Sequence, residues 1–239
     1  MKKTQSQTTY NKLASNYRQI SREKKDYLSS IDSLIVSILN KTDSIVDLGS
    51  GDGVRIAKLA KKLQAKKVVL VDNSNKMLKL SEKIPRVKVV KNSIVNFQPG
   101  NRFDAVTCLW NVLGHVEPFS DIRKVFGNVD DNLLKKRGLL FLDVNNKYNA
   151  SAYSAFLVIK NIAKDVLTPF FKEEYIRFCK KVLGEEIKMK VHFFNPYEIE
   201  GYLKGTKLRV VRKFYVNYNN GSLEKVFWRG QVFYVIEKI

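Results

Sequence analysis

Three glycines and two carboxylates stand within one short segment, Asp47-Leu48-Gly49-Ser50-Gly51-Asp52-Gly53. An apolar run, Ser44-Ile45-Val46, enters it, and a helical pattern from Val54 to Leu63 leaves it. Glycines at this spacing let the chain turn sharply and bring bare backbone against a ligand. The start of the following helix offers unpaired N–H groups to negative ligand atoms. Asp72 closes the next apolar run, 19 positions after Gly53, where a carboxylate can accept hydrogen bonds from both hydroxyls of a ribose. A nucleoside ligand is therefore expected. The dinucleotide fingerprint G-x-G-x-x-G fails in both frames: counted from Gly49 its third glycine position holds Val54, and counted from Gly51 it holds Ile56. Asp47 and Asp52 would repel a pyrophosphate and favour a cation, so the chemistry selects a sulfonium nucleoside, S-adenosylmethionine, over a nicotinamide dinucleotide. A glycine turn that serves folding alone is the bland alternative, and it leaves Asp72 unused.

Other reactive side chains are few. His115 and His192 are the only histidines; orienting a loop or packing in a core competes with catalysis at each. Asp143, Asn145 and Tyr148 follow an apolar run, at the end of a strand where open α/β sheets place ligands. An Asp-x-Asn-Asn turn is also an ordinary strand terminator. Asp143 and Asn145 resemble part of the divalent-metal site of catechol-type methyltransferases, but no third acid is identifiable and no metal is expected.

These groups need a scaffold. Residues 21–40 carry Tyr27, Ile31, Leu34, Ile35, Ile38 and Leu39 at amphipathic-helix spacing. Short apolar strands are expected at 44–48, 67–72, 87–90, 103–109 and 138–144, alternating with helices at 54–63, 75–83 and near 117–129. That alternation predicts a parallel sheet covered on both faces. After Val144 it stops. Residues 145–195 read as a cap, with one aromatic helical stretch at Tyr153, Phe156, Leu157 and Ile159, a second at Phe170, Phe171, Tyr175 and Phe178, and a strand from Ile187 to Phe194. Pro196 to Leu203 is a short helix. Two β-rich runs, Leu208 to Tyr218 and Val226 to Glu237, flank the turn signal Asn219-Asn220-Gly221-Ser222 and predict a hairpin. The expected organisation is one domain: an N-terminal helical lid (1–40), a cofactor-binding core (41–144), the cap (145–195), and a C-terminal helix and hairpin (196–239).

The 239 residues carry 43 Lys+Arg against 23 Asp+Glu, a net +20. Such a field draws nucleic acid, anionic lipid or an acidic substrate. The charges are scattered in short clusters such as Lys135-Lys136-Arg137, which reads as solvated surface more than a nucleic-acid footprint. Two cysteines allow neither a disulfide framework nor a Cys-based zinc site. Without an apolar stretch of membrane-spanning length or a secretory h-region, a cytoplasmic location is expected.

Over nearly all of residues 10–238 the sequence resembles the class I S-adenosylmethionine-dependent methyltransferases, through the D-x-G-x-G-x-G segment and the acid at Asp72. The resemblance implies a doubly wound seven-stranded Rossmann-like sheet with an antiparallel last strand, and a helical cap inserted after strand five. It implies that Asp47, Gly49, Gly51 and Gly53 hold the methionine part of the cofactor and that Asp72 binds the ribose. Asn73 and Met77 would lie along the nucleoside, Asn92 and Ser93 would contact the adenine, and Leu109 would close that site. Tyr10-Asn11-Lys12-Leu13-Ala14-Ser15-Asn16-Tyr17 resembles the family's Tyr-x-x-x-Ala-x-x-Tyr segment, so Tyr10 and Tyr17 would cover the cofactor.

Residues 71–79 and 103–116 are similar to glycine N-methyltransferases and their small-molecule relatives. That likeness assigns Asn111 to the acceptor, with His115 as the second catalytic candidate. Trp110, Asn145, Tyr148 and His192 are candidates for the substrate wall. The family's carboxylate-gripping Arg after strand five has no counterpart in Asp143-Val144-Asn145-Asn146-Lys147-Tyr148. The implied activity is methyl transfer to an N or O atom of a small molecule, with S-adenosylhomocysteine as product. RNA methylation is the competing enzyme reading, because of the charge. Leu109-Trp110-Asn111-Val112 lacks the Asn/Asp-Pro-Pro-aromatic motif of exocyclic-amine methyltransferases, and no Pro-Cys nucleophile occurs. A non-catalytic cofactor-binding protein on the same fold is the third reading.

Overall fold

The computed structural model describes residues 4–168, 175–182 and 185–239. Its centre is β1 (Ser44–Leu48), buried at every position, which pairs in parallel with β2 (Lys67–Asp72) and with β4 (Phe103–Cys108). The register sets Asp47 beside Thr107 and Leu48 beside Val71. The parallel strands β3 (Lys88–Lys91) and β5 (Leu134–Val144) extend the sheet on either side. At the carboxyl end, β8 (Leu208–Val216), a two-residue β9 (Leu223–Glu224) and β10 (Gln231–Lys238) complete the order β3-β2-β1-β4-β5-β10-β8-β9. β10 runs antiparallel to both β5 and β8, so the expected antiparallel closure is present.

Helices cover both faces, as the nearly all-apolar strands require. On one face α3 (Lys25–Leu39) buries Tyr27, Ile31 and Ile35 at i, i+4 and i+8, against α4 (Val54–Lys62) and the Ile45, Leu70 and Phe233 side of the sheet. On the other, α6 (Asp121–Asn128) and α8 (Glu198–Tyr202) pack on Val46, Leu48, Val106 and Leu142. Each large apolar side chain so buried contributes roughly 1.5–3 kcal/mol. Two further helices, α1 (Gln5–Leu13) and α2 (Tyr17–Glu23), precede α3, and α5 (Asn75–Ser81) follows β2.

Three expectations are corrected. The sheet has eight strands, because β9 adds a short edge to β8 after the 217–222 turn. The last run enters the sheet only at Gln231, since Val226 to Arg229 turns back on itself through Arg229 N–H donating to the Val226 carbonyl. The insertion after β5 is only half helical. It begins with α7 (Ala155–Leu167), but Tyr175 and Phe178 lie on β6 (Tyr175–Val182), which pairs antiparallel with β7 (Glu185–His192). A partner strand running from Tyr175↔His192 to Val182↔Glu185 overrides the helical spacing of the aromatics. Phe170 and Phe171 lie outside the described residues. Buried polar groups moor the insertion. Asp165 of α7 faces Lys147 Nζ at 2.6 Å and accepts from the Tyr148 hydroxyl at 2.5 Å. Cys108 is buried and Cys179 is exposed. Among the described residues no helix is long and apolar enough to cross a membrane.

Candidate active site

The glycine turn takes the form its residues demand. Gly49, Gly51 and Gly53 have φ of 76°, 58° and 70°, in the left-handed region that costs other residues about 1–2 kcal/mol. Gly51 N–H donates to Asp72 Oδ2 at 2.9 Å, and Ser74 N–H donates to Asp72 Oδ1 at 2.8 Å. The ends of β1 and β2 are thus tied together with a carboxylate between them. A Cβ on Gly51 would lie 3.0 Å from Tyr17 Oη, and one on Gly49 would lie 2.4 Å from Val112 Cγ1. Both positions belong to a close approach that only bare backbone satisfies. Gly53 differs, because its Cβ would meet Leu70 at 2.6 Å and Ile84 and Ser81 at 3.0 Å. It serves helix–sheet packing and does not line the cleft.

The cleft at the carboxyl ends of β1, β2 and β4 brings together Tyr10, Tyr17, Gly49, Gly51, Asp72, Asn73, Asn92, Ser93, Leu109, Trp110 and His115. Most of the expected cofactor residues therefore converge. Met77 does not line it; it is fully buried in α5, beneath Ser74, whose Oγ accepts the Met77 N–H. Asp47 sits below the turn, where Oδ1 accepts from Thr107 Oγ1 at 2.5 Å. Burial pushes its carboxyl up to about 7, against the Thr107 hydrogen bond and the Arg55 charge, while the Asp72 charge adds to the rise. Burial also raises Asp72, opposed by the N–H groups of Ser74, Gly51 and Asn73.

A second chamber shares a wall with the cleft. Tyr10, Tyr17, Trp110 and His115 face both, and behind them lie Asn111, Asn145, Leu13, Ile20, Tyr218 and three residues of β7. The shared wall is an aromatic array: the Tyr10 and Tyr17 rings are 6.4 Å apart, Tyr17 and Trp110 5.5 Å, and Tyr10 and His115 5.4 Å. Trp110 and Asn111 both have positive φ, 62° and 57°, a strain of order 1–3 kcal/mol each that surrounding contacts must hold. Asp143 does so, accepting from the Trp110 N–H and, at 2.6 Å, from the Tyr27 hydroxyl. Asn111 Oδ1 accepts from Asn145 N–H at 2.9 Å, and its buried Nδ2 makes no hydrogen bond among the described residues.

Tyr10 Oη lies 3.2 Å from His115 Nε2. Burial drives the imidazole down to about 4, with a hydrogen bond to the Lys190 backbone pulling the other way. The ring is therefore neutral at neutral pH. Helix α1 straps the site shut: Gln7 Nε2 donates to the Asn73 carbonyl at 2.7 Å, Ser74 Oγ to Asn11 Oδ1 at 2.8 Å, and Thr9 Oγ1 to the Lys188 carbonyl at 3.3 Å.

Two substrate candidates lie elsewhere. His192 is buried, with Nε2 2.8 Å from Glu198 Oε1 and its ring against Phe119 and Phe194. Tyr148 is occupied by Asp165. Sequence reasoning missed the β7 contribution of Ile187, Met189 and Val191. Their alternation along an expected strand was the available signal. Among the described residues no cluster of His, Cys, Asp or Glu could hold a metal ion.

The donor set fits S-adenosylmethionine. Asp72 faces the cleft with acceptor capacity left for ribose hydroxyls beside its backbone bonds, and Gly49 and Gly51 line the cleft with bare backbone. Residues 46–140 match the methyltransferase domain family. Over 92% of its length the chain is 27% identical to an uncharacterized protein of Methanocaldococcus jannaschii, of which it covers 83%. The fold is similar to that of an S-adenosylmethionine-dependent methyltransferase from Clostridium acetobutylicum, with TM-score 0.63, 21% identity, and coverage of 95% of this chain and 98% of that one. It is also similar to an amino pentose methyltransferase from Micromonospora echinaspora with S-adenosylmethionine bound, at TM-score 0.60, 14% identity, and coverage of 94% and 95%. The family match falls on strands β1 to β5 and on the turn that builds the cleft, and residues 46–140 accordingly form an S-adenosylmethionine-dependent methyltransferase domain.

Proposed function

We propose that this enzyme moves the methyl group to an N or O atom of a small molecule held in the second chamber. The carrying observation is the wall of Tyr10, Tyr17, Trp110 and His115 common to cleft and chamber, since in-line transfer needs donor and acceptor on opposite sides of one short gap. When bound, S-adenosylmethionine supplies a methyl group already activated by a positively charged sulfur. The chain's part is to position and to exclude water. Asp72 accepts from the ribose hydroxyls, with Asn73 alongside, and Asn92 and Ser93 face the adenine. The Gly49–Gly51 backbone, backed by Asp47, receives the methionine portion. Leu109 closes the apolar side, and Tyr10 from α1 and Tyr17 from the start of α2 cover the cleft. Asn111 and Asn145 orient the acceptor. His115 receives the acceptor's proton by way of the Tyr10 hydroxyl.

The similarly folded amino pentose methyltransferase from Micromonospora echinaspora supports a small acceptor. Acceptor-dependent formation of S-adenosylhomocysteine, followed by mass spectrometry over amines, phenols, carboxylates and tRNA, tests the reading. Turnover with a member of the small-molecule set is expected, and turnover with tRNA alone would replace this reading by RNA methylation.

A further inference from the structure

The chamber's lining selects the charge and shape of its occupant, an inference that rests on the methyl-transfer reading above. Its floor is apolar: Leu13 from α1, Ile20 from α2, and Ile187, Met189 and Val191 from alternate positions of β7. Among the described residues no Asp, Glu, Lys or Arg lines it. Its polar atoms are amides, one imidazole and tyrosine hydroxyls, of which the Tyr218 hydroxyl already accepts from Trp110 Nε1 at 3.2 Å. An ammonium or carboxylate entering such a space loses its hydration and meets no counter-charge. The rings of Tyr10, Tyr17 and Trp110, set edge-on and tilted, offer a flat guest further ring contacts.

We infer that the acceptor is an uncharged, apolar aromatic molecule and that the methyl group goes to its phenol-type hydroxyl. Aliphatic amines carry a proton at neutral pH, as the Lys reference near 10.4 shows, and they need a carboxylate here. A phenol, like the Tyr side chain with reference value about 10, is neutral. Its proton also has a destination. As the acceptor oxygen bonds to the methyl carbon, the methyl–sulfur bond breaks and its electron pair stays on sulfur. The oxygen, losing electron density, becomes far more acidic than an imidazolium and gives its proton to Tyr10 Oη, which passes its own to His115 Nε2. The products are an aryl methyl ether, a neutral thioether and a protonated His115, which returns its proton to solvent.

The test is equilibrium dialysis of the full chain, saturated with S-adenosylhomocysteine, against three probes of similar shape: 2-naphthol, 2-naphthoate and 2-naphthylmethylamine. Binding of 2-naphthol at least tenfold tighter than either charged probe is expected. Met189→Glu, at a half-buried wall position, should weaken 2-naphthol at least tenfold and bring the amine up to or above it. Ile20→Glu does the same from another element, should the first variant fail to fold. Equal or tighter binding of a charged probe, or binding of none while S-adenosylhomocysteine still binds, overturns the acceptor assignment alone. Failure of S-adenosylhomocysteine itself to bind overturns the methyl-transfer reading beneath it.

Discussion

Binding of S-adenosylmethionine should expel a proton from Asp47. Burial lifts this carboxyl to about 7, so at pH 7 about half of the molecules carry a proton there. A cationic ligand over the Gly49–Gly51 turn favours the ionised form. If it returns the group to the ordinary carboxylate range, the protein releases about half a proton at pH 7 and about 0.9 at pH 6. The sign follows from the raised free-state value. Affinity is full above pH 7 and is lost as pH falls through it, by about tenfold between pH 8 and pH 6. Asp47→Asn keeps an oxygen for the Thr107 hydroxyl while removing the titration, so the difference between wild type and variant isolates this group from the ligand's own amine. Calorimetric titration at one pH in phosphate and in Tris, buffers of unlike ionisation enthalpy, reads the proton count directly. Identical proton release by wild type and Asp47→Asn would refute the placement of the cation over Asp47.

Further consequences separate binding, stability and turnover. Gly51→Val should abolish cofactor binding, because its Cβ would stand 3.0 Å from Tyr17 Oη at a φ of +58°. Gly53→Ala should instead cost roughly 2–4 kcal/mol in denaturant unfolding, from left-handed strain and overpacking on Leu70, with cofactor affinity retained in the folded fraction. Asp165→Ala removes the buried carboxylate that faces the Lys147 ammonium and accepts from the Tyr148 hydroxyl, and should lower unfolding free energy by about 1–3 kcal/mol, with an unchanged value arguing that these contacts are solvated. Tyr10→Phe and His115→Gln should each lower kcat by about 10²–10⁴ while S-adenosylmethionine binds within a few-fold of wild type. A loss confined to affinity would make them cover residues without a proton role.

What was legible in the sequence follows from how local each constraint is. The turn, Asp72 and the β1–β5 alternation are short-range patterns, and their chemistry is written into a few adjacent residues. Gly53 and Met77 show the limit of that reading. A motif position can face the ligand or the helix behind it, and only the register of α4 and α5 against β2 decides. His192 looked available until the fold set Glu198 beside it at 2.8 Å. Tyr175 and Phe178 have helical spacing, but their pairing with β7 is a nonlocal term that spacing does not carry. The second chamber was the least accessible feature, because α1 and β7 lie more than 170 residues apart and meet only through contacts such as Thr9 with Lys188.

The central claim is that the D-x-G-x-G-x-G turn and Asp72 form a site for a sulfonium nucleoside. Calorimetric titration of the purified protein with S-adenosylmethionine, with NADH as control, tests it most directly. Saturable binding of the sulfonium compound alone, weakened in Asp72→Ala and absent in Gly51→Val, is the predicted result. Binding of NADH in its place, or affinity unchanged in both variants, would contradict the account.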